Sequence, residues 1–153
     1  MPVAMPELDA GLERQLGAGL FNQVWVLLSK PDRSADDDEQ MVHTVHASRY
    51  HWSMAGGPTQ WARGEWLCSR VYAVLGRGEP ALHHAQRCLE LATGHDLEPF
   101  DVGAAHEALA RGYQVSGDAE KAAQHMALAR AQLASITDAE DREILEGDLA
   151  SLA

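Results

Sequence analysis

Three of the chain's eight histidines, three of its four tryptophans and three arginines fall within His43–Arg70, HTVHASRYHWSMAGGPTQWARGEWLCSR. On a helix, His43 and His46 lie roughly 60° apart and could chelate a metal together, whereas His46 and His51 stand roughly 140° apart. No HExxH spacing accompanies them. His106 with Glu107, or Asp101, could complete a site from another helix, but nothing in the sequence requires it. Cys68 and Cys88 have neither metal nor redox spacing and read as small hydrophobes. Ser48 has no base or acid partner at a useful spacing, so it does not read as a nucleophile. No cofactor is expected. A different chemistry is written at Arg63, Trp66 and Arg70. Residues three and four apart share a helix face. Two guanidinium forks beside an indole suit a carboxylate or phosphate with an apolar body. Glu107 and Arg111 form a second such stripe.

The surrounding composition restricts the partners. The chain has 153 residues, enough for one domain with its own core. Its formal charge is −11, so a nucleic-acid backbone would be repelled, and nucleic acid is not expected as a partner. The acidic blocks Asp36–Glu39 and Asp138–Asp148 read as solvated helix ends, the first as charge matched to a helix dipole. No apolar run approaches the roughly 18 residues needed to cross a bilayer, and no signal peptide precedes the first helix. A cytoplasmic protein without membrane contact is expected.

Apolar spacing predicts helices throughout and no strand, an all-α fold of about seven helices. Pro6 and Glu7 open a first helix that runs to about Ser29, where Pro31 stops it. Ser34 caps a second that ends near Met54, before Gly56-Gly57. Further helices follow over about Thr59–Leu75, Glu79–Thr93, Val102–Ser116 and Asp118–Ala134, with Gly76, Gly94 and Gly117 at three of their ends. The connection His95–Phe100 reads as a polar loop. Thr137-Asp138-Ala139-Glu140 reads as a capping box for a short last helix over about 138–151.

The strongest signal is self-similarity. A shift of 41 residues lays Arg70 on Arg111, Tyr72 on Tyr113, Val74 on Val115, Gly76 on Gly117, Glu79 on Glu120, Ala81 on Ala122 and His84 on His125. Ser69 and Cys88 fall on Ala110 and Ala129 in the same register. A small residue three before a tyrosine lets helices cross closely, and the glycine permits the turn. The pattern, clearest in Ala110-Arg111-Gly112-Tyr113, Gly117, Ala122 and Ala129, resembles the tetratricopeptide repeat, in a long-period variant similar to those of bacterial regulatory and signalling proteins. That family's period is about 34 residues.

The resemblance implies a right-handed superhelix of antiparallel helix pairs forming a single domain. Residues 61–93 and 102–134 would be its repeats, 6–54 a degenerate preceding pair, and 138–151 a capping helix. A narrower resemblance links His46-Ala47-Ser48-Arg49-Tyr50-His51-Trp52 to small bacterial proteins of the same repeat class and brings no activity with it.

In such arrays the first helix of each pair lines the concave groove. Carried over, this puts Arg63, Trp66, Arg70 and Ala73 beside Ala104, Glu107, Arg111 and Gln114. The expected function is a non-enzymatic binding module, with Arg63, Trp66, Arg70, Glu107, Arg111 and Gln114 contacting a protein or peptide partner or a small acidic ligand. The Lys and Asn pair of the family's carboxylate clamp is absent here. The alternative is a small-molecule binder or metal-assisted enzyme, with His46, His51, Trp52, Arg63 and Glu65 converging between the second and third helices. A homodimer through the end faces is also compatible with a short array.

Overall fold

A computed structural model describes residues Met1–Leu152. It is all-α, with seven helices and no strand among the described residues. They are α1 (Ala10–Leu28), α2 (Ala35–Ala55), α3 (Pro58–Val74), α4 (Gly78–Gly94), α5 (Pro99–Val115), α6 (Ala119–Leu133) and α7 (Ala139–Ala150). No helix is long and apolar enough to cross a membrane among the described residues.

Where the ends differ from expectation, capping chemistry decides. Pro6 does not open α1; Asp9 does, accepting from the Leu12 amide at 2.8 Å. Ser34 caps α2 as expected, in a capping box with Asp37. Gly94 lies inside α4, and the left-handed residue that turns the chain is Asp96, with φ of 49°. Asp tolerates that region better than most side chains. Pro99 begins α5 instead of breaking a loop, because proline at a first helical position gives up only an amide that has no partner there. Asp138, not Thr137, caps α7.

The helices pack as α1 on α2, α3 on α4 and α5 on α6. α3 also touches α1 and α5, and α5 touches α7, whereas the even-numbered helices make no comparable approach to one another. The odd-numbered helices therefore crowd together on one side, and the even ones splay on the other. The turns that close α3 and α5 are equivalent. Gly76 and Gly117 adopt φ of 74° and 82°, and the amides of Arg77 and Asp118 reach back to the Tyr72 and Tyr113 carbonyls at 2.8 and 2.9 Å.

The same register recurs in side chains. Tyr72 stacks on His84 with ring centroids 5.7 Å apart, and Tyr113 stacks on His125 at 5.5 Å. Each tyrosine also carries a cation on its ring, Arg77 at 5.1 Å and Lys121 at 5.4 Å. Each sandwich ties the end of an odd helix to the even helix that follows it.

The stretch His46–Trp52 is a set of connectors along α2. His46 Nε2 lies 2.7 Å from the Tyr72 hydroxyl. The buried Ser48 hydroxyl donates to the Gly17 carbonyl at 2.7 Å. Arg49 donates to Glu65 at 3.2 Å, and His51 Nδ1 lies 2.5 Å from the buried Glu13 carboxylate. Trp52 packs where Gly17 leaves room, since a Cβ on Gly17 would sit 2.2 Å from the indole. The density of chemistry-capable residues here follows from one helix having to grip α1 and α3 at once.

Candidate functional site

A half-open cavity of about 480 Å³ lies between the odd-numbered helices, with one lining residue each from α2 and α4. Phe21 and Trp25 of α1 form one wall, joined by Trp52 of α2. Trp66 lines it beside Ala62, Cys88 and Ala104, whose small side chains leave the space open. Arg63, Phe100 and Asp101 line the far side, with Asp141 and Ile144 of α7 at the edge. The aromatic rings brace one another. Phe21 and Trp52 have centroids 5.2 Å apart, and Trp25 and Trp66 5.8 Å. Trp25 and Trp66 stand 41 residues apart in the chain, the same shift that aligns the two repeats, and here they touch.

Polar groups in this lining are few. The Arg63 Nε lies 3.2 Å from a buried Asp101 oxygen, and its guanidinium sits 5.6 Å from the Phe100 centroid. Burial raises the Asp101 carboxyl above its ordinary value, the Arg63 charge and hydrogen bond draw it back, and the Asp141 and Glu98 carboxylates raise it further. Trp66 Nε1 is buried without a protein partner, a donor that costs about 1–3 kcal/mol while it has no acceptor. Burial pushes the Cys88 thiol up, so it stays protonated and acts as wall, not as nucleophile.

Four of the six residues assigned to the groove do something else. Arg70 lies 3.3 Å from Glu107 and 3.1 Å from Asp148 of α7, with its guanidinium 5.0 Å over Trp66. Arg111 donates to Glu107 at 2.5 and 2.8 Å, to the Asp148 carbonyl at 3.2 Å and to Ser151 at 2.8 Å. Gln114 donates to the Leu152 carbonyl at 3.2 Å. Glu107 is fully buried, with one oxygen shared by both arginines and the other without a protein partner. These polar side chains hold α7 over this end of the odd-helix face, assisted by the buried Leu145 and Leu149. Arg63 and Trp66 remain in the cavity lining.

The five residues of the alternative pocket do not converge. Trp52 and Arg63 line the cavity, and His51 turns to α1. His46 and Glu65 face α4, where His84 Nδ1 lies 2.6 Å from Glu65. Burial pushes the Glu65 carboxyl up, but the His84 hydrogen bond and charge, with Arg49, bring it below its ordinary value. Among the described residues no group of three metal-ligating side chains is close enough to hold an ion.

No protein family, curated protein or solved structure matches this chain. The site must be judged on its own geometry. Sequence reasoning reached Arg63, Trp66, Trp52 and Ala104, named Asp101 only as a metal-site candidate, and missed Phe21, Trp25, Phe100, Asp141 and Ile144 as lining residues. The Trp25 and Trp66 correspondence was the available signal for the first wall.

Proposed function

We propose that this chain is a non-enzymatic binding module built on tetratricopeptide-like helix pairs, and that its ligand occupies the cavity between the odd-numbered helices. The observation that carries this reading is the cavity itself. A concave space of about 480 Å³, walled by aromatic rings and touched by a few polar groups, has the dimensions and lining of small-ligand sites, which run roughly 300–1,000 Å³. Rings supply area at small entropic cost, while Asp101 and the Trp66 N–H supply orientation.

A peptide lying along Arg70 and Arg111 is a second reading. It is supported by α7, which already lays an acidic helical segment against both arginines. Such a peptide would have to displace α7, so the open cavity is preferred.

Thermal-shift screening with small aromatic and aliphatic compounds tests the choice, using Ala104→Leu to fill the cavity from α5. Stabilisation of the native protein that disappears in Ala104→Leu supports the assignment. Equal stabilisation of both proteins, or none of either, removes it. A peptide that binds only when Arg70→Ala is absent and that ignores Ala104→Leu would transfer the site to the second reading.

A further inference from the structure

The charged groups around the cavity are unequal in sign. Arg63 is the one cation in its lining, set against the carboxylates of Asp101 and Asp141. Glu98, the N-cap of α5, adds a third carboxylate close enough to act on Asp101. The neighbouring cations are spoken for. Arg70 and Arg111 are held by Glu107 and α7, and Arg142 donates to the Ile136 carbonyl. Burial is the main reason the Asp101 carboxyl is raised; Arg63 draws it down, and the Asp141 and Glu98 carboxylates add a smaller upward push.

Arg63 already shows what such a site accepts. Its guanidinium rests over the Phe100 ring and beside the Asp101 carboxylate. The two partners differ in freedom, because the Arg63 side chain is 46% exposed and that of Asp101 3%. The carboxylate and the ring are fixed in the wall, and the guanidinium can swing into solvent.

Resting on the reading of the cavity as the ligand site, we propose that its ligand is a small organic ammonium with an apolar body. The ammonium takes the place of the Arg63 guanidinium at Asp101 and Phe100, with Asp141 as a second carboxylate. The apolar body lies against Trp25, Trp52 and Trp66. A ring face attracts a cation through its quadrupole, and a carboxylate attracts it more strongly where water is scarce. A carboxylate ligand would meet the same surplus of negative charge as repulsion. This reverses the role given to Arg63 by its sequence, from an anion contact to an occupant that the ligand replaces.

The experiment compares phenethylammonium, phenethyl alcohol and phenylpropanoate, three probes of similar body and different charge, by calorimetric titration at low salt. The expected result is phenethylammonium binding about tenfold or more tighter than phenylpropanoate, with the alcohol between them. Arg63→Ala should tighten phenethylammonium by roughly threefold, because a competing cation is gone, and Asp101→Asn should weaken it by about tenfold. Asp141→Asn, at a half-buried position, repeats the carboxylate test if Asp101→Asn does not fold. Equal binding of the three probes, tighter phenylpropanoate, or weaker phenethylammonium after Arg63→Ala overturns the charge assignment and leaves the cavity reading intact. Failure of all three probes to bind overturns both.

Discussion

Gly17 and Glu107 show how much of this fold turns on single positions. Gly17 lies on α1 beneath Trp52, where a methyl group would sit 2.2 Å from the indole. Gly17→Ala should therefore destabilise the protein by about 1–3 kcal/mol through overpacking, although alanine is the better helix former. Chemical denaturation measures the change, and a rise in stability would show that Trp52 repacks freely. Glu107 is buried between two arginines. Glu107→Ala leaves both guanidiniums without their shared partner and should cost about 3–5 kcal/mol by the same measurement. The spacing of four residues puts Glu107 and Arg111 on one helix face. It did not show that the pair would be buried, because burial depends on α7 folding back across nearly forty residues of chain.

The paired helices carry most of what was legible in advance. Ser34, Gly76, Gly117 and Asp118 each act at the end where their chemistry placed them, and the 41-residue register reappears as two equivalent turns. Pro99 and Asp138 shifted boundaries because a proline or acid near a helix start suits more than one position, and local sequence does not choose among them. The histidines were the least legible. Helical spacing gives His84 and His125 no partner, yet each stacks on the tyrosine of its own pair. That could have been read from the shift that aligns both residues at once.

The second sandwich has a consequence for pH. His106 Nδ1 and His125 Nδ1 lie 3.1 Å apart, so one must donate and the other accept. Burial lowers both below the ordinary 6.5, aided at His106 by the His125 charge, and burial also lowers His46. The unfolded chain then takes up protons first as pH falls, and stability is lost from about 6.5 downward through the folded values. Glu65, lowered in the folded protein, adds a second loss below about 4.5. Thermal melting from pH 7.5 to 3 should show both declines, the second opposed by Asp101, whose raised carboxyl takes up its proton first in the folded chain. His106→Gln with His125→Gln should flatten the first, and an unchanged slope would assign it elsewhere.

The whole molecule places its cavity between helices that are far apart in the chain. This is why the full lining was not legible: Phe21 and Ile144 share no spacing rule, and only the stacking of helix pairs brings them to one space. A ligand at about a hundred times its dissociation constant should stabilise the fold by about 2.7 kcal/mol. That corresponds to a melting temperature roughly 5–11 °C higher for a chain of this size. Hydrogen exchange should slow in α1 and α7 together, and protection confined to α3 and α5 would place the ligand lower in the groove. Helices α1 and α7 both contribute walls, yet they make no close backbone approach to each other. An occupant would then be a keystone, touching α1 and α7 at once where they do not touch each other. Its removal would leave the first and last helices of the chain with no shared neighbour on that side of the cavity.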